Sequence, residues 1–100
     1  MEQTDRIKLM EQYLDRSSAA VMRLSAALDD YEAARADIEA LSEYYGSAEW
    51  KADFADDEQG RLPKDLKRGV LSEDGIWNLL SDCRDIEKRM AELKELGVKS

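Results

Sequence analysis

Four acids fall within six positions, Asp53, Asp56, Asp57 and Glu58. Carboxylates at that density are the ligand type a hard divalent cation takes. The spacing does not fit a calcium loop. If Asp53 opened one, its third position would be Ala55 and its twelfth Lys64, where the loop needs oxygen donors. The better reading is a solvated helix end and turn, with the acids paired to Arg61, Lys64 or Lys67. Those bases and Arg68 form the one local basic concentration, interleaved with Asp65. Such a group can meet a phosphate or an acidic partner. Diluted by its own acids, it makes a poor nucleic-acid footprint.

Nucleophilic chemistry has little to work with. The chain has no histidine, so neither a Ser–His–Asp nor a Cys–His relay can be built. The single cysteine, Cys83, can form no internal disulfide and offers no metal-ligand pair. It lies on an apolar helical face, where a buried thiol is inert. Carboxylate-pair catalysis would need a pocket, which a two-helix rod rarely makes. The expectation is a protein that is not an enzyme and holds no metal or cofactor. The aromatic residues Trp50, Phe54 and Trp77 are the remaining recognition candidates. Trp50 and Phe54 sit four apart on one helical face. Trp77 beside Ile76 reads first as a packing anchor and second as part of a groove with the other two.

The elements that must position these residues are helical. The chain has 100 residues, 43% hydrophobic and 38% charged, with five glycines and one proline, a composition of long helices in one domain. From Thr4 to Tyr45 there is neither glycine nor proline. Apolar residues recur at Ile7, Met10, Leu14, Val21, Leu24, Leu28, Tyr31, Ile38 and Leu41, mostly at alternating spacings of three and four. That is a coiled-coil seam, with Ser17 and Arg35 in two of its core places. Gly46 is placed to end this helix and Ser47 to cap a short one running to about Asp57. Asp56 to Gly60 reads as a polar break, and Leu62-Pro63 opens another short turn carrying Leu66, Val70 and Leu71. Gly69 is expected to supply a left-handed turn position, and Gly75 a close backbone approach. Ser72, followed by Glu73 and Asp74, is a helix start. Ile76, Leu79, Leu80, Cys83, Ile86, Met90, Leu93 and Leu96 continue it at heptad spacing until Gly97.

The expected fold is therefore all-α. It is an antiparallel helical hairpin with a long N-terminal helix over 4–45, a connecting cap with short helices over 46–71 and a second helix over 73–96, packed in coiled-coil fashion. The second helix can cover only a little over half of the first. The seam at Ile7, Met10, Leu14 and Val21 then lacks an intrachain partner, and a homo-oligomer, with a dimer favoured, is the simplest cover.

Residues 43–80 carry a distinctive pattern. It runs Tyr44-Tyr45-Gly46, then Trp50-Lys51, Asp53-Phe54 and Asp57-Glu58, then Leu62-Pro63, and then continuously from Asp65-Leu66-Lys67-Arg68-Gly69-Val70 through Gly75-Ile76-Trp77-Asn78-Leu79-Leu80. This pattern resembles the bacterial family known as domain of unknown function 4298, and the heptad flanks extend the likeness over nearly the whole chain. The resemblance implies a small, mostly helical cytoplasmic protein and implies no activity.

Charge sets the partner classes. Net charge is −8, with ten acids against five bases in residues 1–45. Such a chain is repelled by phosphate backbones and anionic membranes. No apolar run approaches the roughly 18 residues of a membrane span, and the first residues carry no apolar signal core, so the expected location is the cytoplasm. The functional expectation is a protein–protein interaction or scaffold module that self-associates through Ile7, Met10, Leu14 and Val21. It would present Trp50, Phe54, Lys67, Arg68 and Trp77 to an unknown protein partner. One alternative is an acidic nucleic-acid mimic that fills the groove of a basic protein, weakened by Arg6, Lys8, Arg16, Arg23 and Arg35 among the acids. The other is a carboxylate-based metal-binding protein or enzyme.

Overall fold

The computed structural model describes residues 2–97. They form helix α1 (Gln3–Tyr44), helix α2 (Ala48–Glu58), a 3-10 turn (Gly69–Leu71) and helix α3 (Gly75–Leu96), with no strand among the described residues. The fold is all-α, with a long N-terminal helix, a shorter C-terminal helix and a short helical cap between them. No helix among the described residues is long and apolar enough to cross a membrane. By backbone proximity the chain divides into two compact units, Met1–Ala36 and Asp37–Ser100.

The first unit consists of α1 alone. No glycine or proline interrupts the helix over its 42 residues, and runs of alanine keep its backbone cost low. None of its residues is buried. The seam positions Ile7, Met10, Leu14, Val21, Leu24 and Leu28 keep between 39% and 66% of their surface exposed. The Arg16 guanidinium lies over the Tyr13 ring at 5.3 Å, a local contact between residues three apart on the helix surface.

The second unit holds the end of α1, the cap and α3. The chain leaves the helix after Tyr44 in a tight turn, and Gly46 makes it at φ 80°, a left-handed conformation free of Cβ strain only for glycine. Ser47 then caps α2: its Oγ accepts from the Trp50 amide at 3.1 Å and donates to the Tyr44 carbonyl at 2.6 Å. α2 and α3 both pack against the 3-10 turn. The core sits there, in Leu71 and Ile76, which are 6% and 3% exposed. Ile38, Leu41, Leu62, Leu80, Cys83 and Met90 are half-buried around it or along the helices.

Several expectations change in detail. Trp77 is 53% exposed rather than core. Successive helical residues point about 100° apart, so burying Ile76 turns Trp77 toward solvent. Gly69 has no left-handed φ; its carbonyl, not its torsion, is what the turn uses. Ser72 does not cap α3 directly: it closes the 3-10 turn, and α3 starts at Gly75 behind Asp74, whose side chain makes no capping bond. Ser72 Oγ reaches the helix only by accepting from the Gly75 amide at 3.0 Å. Leu66 and Val70 are exposed rather than packed, and Cys83 is half-buried rather than enclosed.

Candidate functional site

The cap is held by contacts between residues far apart in sequence. Tyr45, Trp50 and Phe54 form a ring cluster. Tyr45 meets Trp50 edge-on and Trp50 stacks on Phe54, each pair with centroids 5.2 Å apart. These offsets suit the aromatic quadrupole. The Trp50 indole Nε1–H donates to the Val70 carbonyl at 2.9 Å, which fastens α2 to the 3-10 turn. The Tyr45 hydroxyl donates a long bond, 3.4 Å, to the Glu73 carbonyl at the head of α3. Trp50 thus gives one face to packing and its polar edge to the backbone.

Tyr44 fastens the other side of α2. Its hydroxyl donates to Asp53 Oδ2 at 2.6 Å. The neutral phenol is favoured first by that hydrogen bond, then by partial burial, then by the negative charges of Asp53 and Glu49, and its pKa is pushed up to about 12. The carboxylate next to it needs the proton to stay.

Arg68 lies partly exposed against the cap. Its guanidinium donates to the Pro63 carbonyl, and its Nε stands 3.2 Å from Asp57 Oδ1. That Nε is shielded from solvent, and its N–H is not aimed at the oxygen, so the contact is an ion pair without a hydrogen bond. Arg61 pairs with Asp56 at 3.4 Å on an exposed surface, where such a pair contributes little.

The head of α3 is tight. Ser72 Oγ donates to the Gly69 carbonyl at 2.8 Å while accepting from Gly75. A Cβ on Gly75 would lie 2.3 Å from that carbonyl oxygen and 2.8 Å from Ser72 Oγ. Only glycine lets the turn and the helix start meet so closely. Beside this junction lies an open, mostly apolar hollow of about 460 Å³ lined by Leu41, Lys67, Gly69, Val70, Gly75, Ile76 and Leu79.

The expected surface residues therefore separate. Trp50 and Phe54 come together, half-buried, in the ring cluster. Arg68 is engaged with the cap. Lys67 stands at the hollow, and Trp77 is exposed and makes no ring contact with Trp50 or Phe54 among the described residues. The acidic cluster is divided among partners: Asp53 to Tyr44, Asp56 to Arg61, Asp57 to Arg68. Among the described residues no three Cys, Asp or Glu side chains converge as metal ligands. Neither Tyr44 nor Tyr45 stands out in the sequence as a site residue. Their hydrogen-bond partners are nine and 28 residues away, beyond any helical period.

A family model described as Domain of unknown function (DUF4298) matches residues 7–93, and the chain belongs to that family. No curated protein and no solved structure matches the chain.

Proposed function

We propose that this member of the family is a non-enzymatic protein–protein interaction module of the cytoplasm, and that it self-associates through the apolar seam of α1 in coiled-coil fashion. One observation carries the reading: Ile7, Met10, Leu14, Val21, Leu24 and Leu28 share a heptad seam, and α1 buries none of its residues. A helix draws its stability mainly from burying an apolar face, and a contiguous apolar stripe in water needs a covering surface. The hollow in the cap brings in one ionisable group, Lys67, which fits a packing or recognition surface better than a catalytic one. Of the candidate surface residues, Lys67 in the cap and Trp77 on α3 are exposed and can meet a further protein.

The test is Leu14→Ala. Burying a leucine side chain fully is worth about 2 kcal/mol. Leu14 keeps 59% of its surface exposed, so about 1.2 kcal/mol remains to be gained per copy on that scale. Two copies, less the methyl that alanine retains, give about 2 kcal/mol, or a roughly 30-fold weaker dimer. Alanine is the best helix former, so the loss reports the seam and not the helix. Gln12→Ala, off the seam, is the control and should leave the dissociation constant unchanged. Equal constants for all three chains by sedimentation equilibrium would refute the reading.

A further inference from the structure

The covering copy has a direction that the charges and the seam of α1 define. From Gln3 to Arg23 the helix carries four bases, Arg6, Lys8, Arg16 and Arg23, against three acids, a net of +1. From Leu24 to Tyr44 it carries one base, Arg35, against six acids, a net of −5. Packed helices lie 8–10 Å apart, about one Debye length at physiological salt. A parallel pair would hold the two −5 segments side by side along their whole length. It would also set Arg35 against Arg35 in a core layer of the seam, because parallel coiled coils pair like positions.

We propose that the partner on α1 is a second copy running antiparallel, with Ile7 facing Tyr31, Met10 facing Leu28, Leu14 facing Leu24 and Ser17 facing Val21 of the other copy. This proposal rests on the self-association reading above and adds its orientation and register. The register covers every one of the six exposed seam residues. It places Arg35 in its outermost layer, level with Gln3 at the very start of the other copy's helix, and stops short of Ile38, already half-buried in its own chain. Shifting the register by one heptad either way loses this. One shift buries Arg35 against Met10, and the other leaves Leu28 uncovered. The chosen register brings Arg6 and Lys8 of one copy level with Glu32 and Asp30 of the other, and leaves Asp37, Glu39 and Glu43 outside the overlap. Its twofold axis falls at Ala19, within the run Ser17-Ser18-Ala19-Ala20, four small residues where two helices can approach closely.

Spin labels on the full chain test this, with Cys83→Ser removing the native thiol. One variant adds Thr4→Cys and another Ala19→Cys, and each is checked for mass by light scattering. Positions 4 and 34 lie level in the antiparallel pair, so two labels at position 4 stand 30 residues apart along the axis, about 45 Å at 1.5 Å per residue. Labels at position 19 stay within about two helix diameters, roughly 20 Å. A long distance at position 4 with a short one at position 19 supports the proposal. Short distances at both overturn it in favour of a parallel pair and leave self-association standing. No intermolecular distance at position 19, with a monomer mass, overturns the self-association reading and this proposal together.

Discussion

Two glycines in the cap differ by six positions and should respond to alanine with opposite signs. At Gly75 the added Cβ would sit 2.3 Å from the Gly69 carbonyl oxygen, a backbone atom that cannot rotate aside. Restoring ordinary contact moves the 3-10 turn off the head of α3 by about 1 Å, given normal carbon–oxygen separations of about 3.4 Å. That shift strains the Ser72 bridge, which holds the Gly69 carbonyl at 2.8 Å and the Gly75 amide at 3.0 Å. Overpacking of this kind costs about 1–3 kcal/mol, and each weakened hydrogen bond adds up to about 1 kcal/mol. Alanine's better helix propensity returns less than about 1 kcal/mol. The net expectation for Gly75→Ala is a loss of about 2 kcal/mol, or roughly 8–16 °C in Tm for a domain of this size. At Gly69 nothing lies within 4 Å of a new Cβ and φ is ordinary, so Gly69→Ala should gain about 0.4–1 kcal/mol by restricting the unfolded chain. Urea unfolding followed by tryptophan fluorescence reads both, because Trp50 is bonded to the turn at Val70. A neutral Gly75→Ala, or a Gly69→Ala that loses more, would refute the close-approach account of the cap.

Other consequences are open to direct measurement. Trp50→Phe keeps a ring against Phe54 but leaves the Val70 carbonyl without its donor, so the urea midpoint should fall by the equivalent of about 1 kcal/mol. Arg68→Ala removes both the ion pair to Asp57 and the bond to the Pro63 carbonyl, and should cost about 1–2 kcal/mol in the same assay. Tyr44 stays protonated in the folded chain up to about 12, against an ordinary 10.0. Between those values the unfolded chain binds fewer protons, so the Tyr44 contribution is intact below pH 10 and is lost as pH rises toward 12. Comparing the native chain with Tyr44→Phe isolates that share: their stability difference should shrink over this range, and a constant difference would contradict it.

Much of the local architecture was legible in the sequence. Gly46 and Ser47 end one helix and start the next through torsion and capping rules that act over a few residues. Ser72 read as the cap of the second helix, but Glu73 and Asp74 enter the turn, so α3 begins at Gly75 and Ser72 meets it only through the Gly75 amide. The heptad seam was visible as spacing, but its exposed reach was not: Leu24 and Leu28, expected under the second helix, are exposed along with Ile7, Met10, Leu14 and Val21. The contacts that hold the cap were not readable. Tyr44 with Asp53 and Trp50 with Val70 join residues whose separation matches no helical period. Ile76 and Trp77 are both large and apolar, and which one is buried depends on the rotation of α3 against the turn. Gly69 and Gly75 look alike in sequence. Their roles differ because one lends a carbonyl and the other must leave room for it.

The central claim is that the uncovered seam of α1 is closed by a second copy of the chain. Sedimentation equilibrium of the native chain over a wide concentration range tests it most directly. The expected result is a mass approaching twice 11.4 kDa, with dissociation on dilution. A mass of 11.4 kDa at every concentration would contradict the claim.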